Sequence, residues 1–269
     1  MSAAPQSQQK VKYALEAGVA IVTLSDPATL NALGVDMAAE LHAALDRAGK
    51  EARAVVITGE GRGFSSGANL QAPRAADAQQ GGPDPRDAGA ALESIYNPLV
   101  TAVRDLPVPV VTAVNGPAAG VGCSLALLGD IIVAAESAYF LQAFRRIGLV
   151  PDGGSSYLLP RMIGRARAME MMLLGEKVPA KTALEWGMIN RCVPDGELMA
   201  TALSFAKQLA EGPAALGIIR KQAWEALDAH WKDQLHTERM NQQRAGRTED
   251  FIEGVSAFVD KRQAQFKGK

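Results

Sequence analysis

Two short β-branched runs, Val55-Val56-Ile57-Thr58 and Val110-Val111-Thr112-Ala113-Val114, each lead into a turn built from glycine and small residues. The first turn reads Gly63-Phe64-Ser65-Ser66-Gly67-Ala68-Asn69-Leu70; the second reads Asn115-Gly116-Pro117-Ala118-Ala119-Gly120-Val121-Gly122. A helix is predicted over 121–128 and a returning strand over 130–135. Residues 19–24 read as another buried strand, and 36–47 as an amphipathic helix opened by an N-cap-like Asp36. Strands alternating with helices imply an α/β core with crossover connections.

Residues 92–104 look helical and are stopped by Leu106-Pro107-Val108-Pro109. After Pro160 the pattern becomes almost wholly helical, with helices predicted over 166–174, 180–186, 198–210, 213–229 and 251–266. The chain is therefore divided into an α/β core, residues 1–200, and a C-terminal helical region, residues 201–269. Residues 71–89 are rich in Ala, Gly, Pro and Asp and show no periodic apolar face. They read as a mobile loop or irregular helix of the kind that covers a site.

A hydrophobic content of 48% supports a full core, and a formal net charge of −1 offers no general attraction to nucleic acid or to an anionic membrane. The two cysteines, Cys123 and Cys192, lack metal-site spacing and fit a reducing compartment. The three histidines, His42, His230 and His236, lie outside the glycine turns, which argues against a histidine-based triad or zinc site. Residues 1–9 are polar, and no run approaches the roughly 20 apolar residues that span a bilayer. A cytoplasmic protein is expected.

Glycine in the two turns permits φ > 0 and close approach of a ligand to the backbone. If the turns lie side by side, the N–H groups of Ala68 and Val121 converge on one oxygen, the second of them at a helix start. Ordinary βα turns packed with small residues account for the same composition. A dinucleotide fingerprint does not: Gly61-Arg62-Gly63 is followed by Ser66 where the third glycine would stand. Asp152, in Pro151-Asp152-Gly153-Gly154, reads either as a turn or N-cap residue or as a carboxylate that moves a proton. Asp130 and Glu136 read as capping or pairing groups and Cys123 as a packing residue. Ser65, Ser66 and Asn69 read as shapers of the first turn.

Taken in order, Leu30-Asn31-Ala32-Leu33, residues 63–70, Ala113-Val114-Asn115-Gly116, 120–130, 148–154, 183–187 and 256–266 carry a likeness. The chain resembles the crotonase superfamily, the enoyl-CoA hydratase/isomerase family, along nearly its whole length. The resemblance implies a spiral of ββα repeats with a C-terminal helical trimerisation region, assembled as a homotrimer or a dimer of trimers. It implies an acyl-CoA thioester substrate, with coenzyme A as part of the substrate and no separate cofactor. The thioester carbonyl would lie between the N–H groups of Ala68 and Val121. Ala32, Gly67, Asn69, Leu70, Gly120, Ser124 and Phe144 would line the substrate, and Lys261 would reach the nucleotide phosphate of a neighbouring subunit's CoA. Ala28 stands where many members carry a basic residue.

Hydratases of the family use two glutamates, and here those positions hold Ser124 and Phe144. Neither can supply the base and acid that addition of water needs. Isomerase-type members place a catalytic aspartate at the turn of Asp152. The runs Leu158-Leu159-Pro160-Arg161 and Glu185-Trp186-Gly187-Met188-Ile189 look most like the ring-epoxide/oxepin isomerases among them. Asp152 would then shuttle one proton, within an apolar surround of Leu141, Phe144, Leu149 and Val150 that raises its basicity. Three alternatives remain: a hydratase or lyase using Asp152 and a water held by Ser124, an aspartate nucleophile, and a non-catalytic acyl-CoA binder. The nucleophile would need a pocket histidine that the motif lacks.

Overall fold

The computed structural model describes residues 9–69 and 87–269. A six-stranded sheet in the order β1-β2-β3-β4-β6-β9 forms its centre. Strands β2 (Val19–Leu24), β3 (Ala54–Gly59), β4 (Val110–Val114), β6 (Ile131–Ala135) and β9 (Arg191–Val193) run parallel, and β1 (Val11–Glu16) pairs antiparallel with β2 at the edge. Every residue of β3 and β4 is buried, as expected for β-branched strands covered on both faces. Helices α1 (Val35–Glu51), α2 (Asn97–Arg104) and α3 (Val121–Leu127) form the crossovers between them.

A second, smaller sheet gives the fold its spiral character. Strands β5 (Ala118–Ala119), β7 (Tyr139–Leu141) and β8 (Lys177–Pro179) pair in that order. Single parallel bridges, Leu33 to Ala68 and Ser65 to Ala118, extend the same row across the two glycine turns. Each turn of the chain thus adds one strand to the large sheet, one short pairing to the small row, and then a helix. This is the crotonase fold, as the resemblance implied.

Helices α4 (Ser155–Leu174), α5 (Ala180–Glu185) and α6 (Leu198–Ala210) follow, and α6 packs on β2, β3, β4 and β6. Gly164, with φ +76 and ψ 159, kinks α4 four residues after Pro160. The chain ends in α7 (Ala215–Ala226), α8 (Trp231–Ala245) and α9 (Glu249–Val259). Thr248 caps α9 by accepting the Phe251 N–H at 3.1 Å. Asp250, only 2% exposed, accepts the N–H groups of Ala214, Lys267 and Gly268 at 2.7–2.8 Å, which ties the C-terminal tail back onto the helices. None of the described helices is long and apolar enough to cross a membrane.

Several sequence expectations need correction. The N-cap of α1 is Gly34, and Asp36 lies inside the first turn, where its charge suits the helix dipole. The last helix stops at Val259 rather than continuing to 266, and Lys261 follows it with φ +54. Helix α4 begins at Ser155, well before the predicted 166, because the Gly153-Gly154 turn starts it directly. The segment 71–89 and Leu70 fall outside the described residues, apart from a turn at 87–89.

Candidate active site

The two glycine turns are neighbours. The Phe64 and Ser65 N–H groups both donate to the Pro117 carbonyl at 3.1 Å, and the Ala119 N–H donates to the Ser65 carbonyl at 2.9 Å. The approach is close enough to demand glycine at two positions. A Cβ on Gly67, whose φ is +93, would lie 2.7 Å from the Ala119 carbonyl oxygen; one on Gly122 would lie 2.6 Å from that of Ser65. Ala68 bridges Leu33 through a bond from the Leu33 N–H to the Gly67 carbonyl (2.7 Å), which leaves its own N–H outside the ladder. Val121 is the first residue of α3, so its N–H has no partner within the helix. Among the described residues neither N–H has a backbone acceptor.

Side chains fix the first turn. Asn31, fully buried with φ +57, donates to the carbonyls of Gly63 (2.8 Å) and Glu60 (3.0 Å) and accepts the Asp26 N–H (2.8 Å). Ser65 donates to the Asn31 carbonyl and Ser66 to that of Thr29, both at 2.8 Å, so both serines shape the turn as expected. Ala28, Thr29, Leu30, Ala32, Ser66, Ala68 and Asn69 line a groove of about 350 Å³ beside it. The sequence motif around Asn31 was visible, but its role as the clasp of the turn was not.

Asp152 arrives from the other side. Gly153, with φ +58, sits so close to α3 that a Cβ there would lie 2.9 Å from Ser124 Cβ and 3.1 Å from a Val121 methyl. The Asp152 carbonyl accepts three donors: Ser124 Oγ at 2.9 Å, Ser155 Oγ at 2.9 Å and the Ser155 N–H at 3.1 Å. This fixes the backbone and leaves the carboxylate to its surroundings. Its Oδ1 is buried with no hydrogen-bond partner, and burial pushes the carboxyl up to about 6. Near neutral pH such a group is an accessible proton acceptor with a conjugate acid strong enough to return the proton.

Ser124 is fully buried and its hydroxyl proton is directed to the Asp152 carbonyl, with the Gly120 carbonyl further off at 3.4 Å. Phe144, 6% exposed, has its ring edge 3.7 Å from where a Gly120 Cβ would stand, so it backs the second turn. Leu141 is buried and its carbonyl accepts the Gly120 N–H at 2.9 Å. Leu149 and Val150 do not join this surround. They are 43% and 76% exposed, because the chain leaves Gly148 in a left-handed turn and carries both side chains outward.

A buried aromatic that sequence reading missed is Tyr96, whose hydroxyl donates to the carbonyl of Leu33 at 2.7 Å. Its spacing with Leu92, Leu99 and Val103 is an ordinary core stripe, so nothing in the pattern sets it apart. Cys123 is fully buried and its thiol is pushed up to about 12 by that burial, in keeping with a packing role. Lys261 is exposed and without an ion-pair partner among the described residues. The tail beyond it is held by Arg53, which donates to the carbonyls of Phe266 and Gly212 just before β3 begins. The Ala68 turn follows the other end of that six-residue strand, about 20 Å away. Among the described residues no cluster of metal-ligating side chains occurs.

Comparisons with known proteins agree with this architecture. The family model for enoyl-CoA hydratase/isomerase matches residues 14–269. The chain is 47% identical to the 1,2-epoxyphenylacetyl-CoA isomerase of Escherichia coli (strain K12), over 95% of this chain and 97% of that protein. It is 42% identical to a "Probable enoyl-CoA hydratase" of Rhodobacter capsulatus, covering 98% of this chain and all of the relative. The crystal structure of an enoyl-CoA hydratase from Polaromonas sp. JS666 superposes with a TM-score of 0.86 at 35% identity, over 96% and 99% of the two chains. The chain belongs to the enoyl-CoA hydratase/isomerase family, the crotonase superfamily.

Proposed function

We propose that the protein is an enoyl-CoA isomerase that moves a double bond by carrying one proton on Asp152. The supporting observation is the isolation of that carboxylate. It is half-buried, its Oδ1 is unpartnered, and the neighbouring Ser124 and Phe144 offer no second acid or base. Asp152 takes a proton from C2 of a 3-enoyl thioester, and the electron pair is drawn onto the carbonyl oxygen as a dienolate. The Ala68 and Val121 N–H groups hold that oxygen, and Asp152 returns the proton at C4, which leaves the double bond between C2 and C3. The substrate supplies CoA, and no further cofactor enters.

The 47% identical isomerase supports this reading and points to thioesters carrying a ring-derived acyl group. The Ser124 proton, committed to the Asp152 carbonyl, speaks against a water held there for hydration. A mass-resolved screen of 2-enoyl-, 3-enoyl- and ring-derived CoA esters in heavy water tests the proposal. Isomerisation exchanges deuterium into the acyl chain without adding water. A product heavier by one water would turn the assignment to a hydratase, and a bound ester with no exchange would turn it to a binding protein.

Gly67→Ala tests the paired N–H groups. The new methyl would meet the Ala119 carbonyl in a backbone conformation that only glycine adopts easily, displacing Ala68. Loss of one oxyanion donor costs about 10²–10³ in rate, so kcat should fall by that order while the ester still binds. An unchanged kcat in a folded variant would remove Ala68 from the site.

The same reading places Lys261 on a neighbouring subunit's CoA within a trimer or a dimer of trimers. Its support is the apolar face of α9, where Ile252, Phe258 and Val259 are 68%, 86% and 71% exposed. Phe258→Asp should shift the protein from oligomer to monomer in light scattering and raise KM for the CoA ester. A monomeric wild type would overturn this assembly.

A further inference from the structure

Tyr96 ends a π-helical turn, Leu92–Tyr96, that runs directly into α2. Single π turns inside helices occur often at functional positions, so the residue that such a turn presents invites a reason. The ring is 8% exposed, and its hydroxyl donates to the Leu33 carbonyl at 2.7 Å. Leu33 is the bridge partner of Ala68, and its N–H is already held by the Gly67 carbonyl at 2.7 Å. The phenol therefore pins, from the other side, the one-residue strand on which the Ala68 N–H is hung.

The phenol proton is committed to Leu33, so Tyr96 gives no hydrogen bond to Asp152, whose Oδ1 has none. A tyrosine that donated to the carboxylate would stabilise it and weaken it as a base.

Resting on the isomerase reading above, we propose that Tyr96 is a positioning residue: its hydroxyl, through Leu33, holds the Ala68 N–H in register with the thioester oxygen. This does not make Tyr96 a proton donor to substrate.

Tyr96→Phe, assayed by α-proton exchange and by pH profile, tests this. It keeps the ring and removes the pin on Leu33. It should lower kcat by roughly tenfold, the scale of one buried hydrogen bond, with KM and the acid limb of kcat/KM unchanged. Full kcat, or a loss confined to KM, would overturn the positioning role. Asp152→Asn, run in parallel, separates the two levels. If it retains exchange, the isomerase reading itself fails; if it abolishes exchange while Tyr96→Phe behaves as wild type, only the role of Tyr96 fails.

Discussion

Asp152→Asn is expected to abolish exchange of substrate α-protons with heavy water at pH 8 while the thioester still binds. A positioned general base contributes about 10²–10⁴ in rate, and in the proposed isomerisation one carboxylate performs both removal and return of the proton, so the loss should lie at the upper end. The wild-type enzyme should lose activity in acid for the same reason. Burial pushes the carboxyl up to about 6, only the ionised form accepts a proton, and kcat/KM should fall about tenfold for each pH unit below that point. The substitution should also stabilise the fold, in a pH window fixed by sign. A carboxyl whose folded pKa is raised by burial favours the folded state only while protonated. That contribution is complete below the unfolded value near 4 and lost as pH rises through 6. The Asn variant does not titrate, so it should melt above wild type at pH 8, and the gap should close between pH 6 and 4. A stabilised, inactive variant fits a site that gives up stability for function. Full exchange in Asp152→Asn, or a melting gap that does not change with pH, would remove Asp152 from this role.

The parts of the fold that were legible are those whose physics is local. Strands β2, β3, β4 and β6 show as apolar β-branched runs of five or six residues, and the two turns show by their glycines. Strands β5, β7, β8 and β9 have two or three residues, too few for any periodicity, and exist because the row beside them exists. Edge strand β1 carries Lys12 and Glu16 toward solvent and so reads as polar. Helix α8 has no buried residue within the chain, so no apolar stripe announced it. At the site, Asp152 stood out because its neighbours lacked glutamates, a contrast that only family resemblance supplies. Tyr96 and Asn31 could not stand out, since the contacts that define them are to backbone carbonyls 63 and 32 residues distant in sequence. Leu149 and Val150 show the opposite failure: apolar residues beside the Asp152 turn suggested a wall, and the turn at Gly148 sent them outward.

The largest expected loss of stability comes from Arg220, at the far end of the sheet from the site. Arg220 lies on α7, its side chain is 4% exposed, and its Nε donates to Asp130 Oδ2 at 2.6 Å. Its other nitrogens donate to the carbonyls of Val103 and Leu106, each at 2.8 Å, and to that of Arg104. Val103 and Arg104 form the last turn of α2, whose carbonyls have no partner within the helix. Asp130 Oδ2 also accepts the Val110 N–H at 2.7 Å, at the start of β4. One guanidinium thus joins α7, the end of α2 and the central sheet, and no lysine could reach three directions at once. Arg220→Ala leaves the carbonyls of Arg104 and Leu106 without a donor and Asp130, whose side chain is 23% exposed, without its ion-pair partner, a loss of about 3–5 kcal/mol at roughly 1–3 kcal/mol for each orphaned carbonyl. For a chain of this size that is a fall of about 10 °C in Tm. Asp130→Leu combined with Arg220→Met should lose less than the sum of the two single changes, because neither charge is then left without its partner. The bridge sits where β4 begins and the Gly120 turn follows where it ends, about 16 Å away. Below its lowered Tm, the Arg220→Ala enzyme should therefore keep the wild-type kcat and the acid limb near pH 6. A Tm within about 2 °C of wild type would show that α7 is held by its apolar contacts instead, and a shifted acid limb would show that the bridge reaches the site.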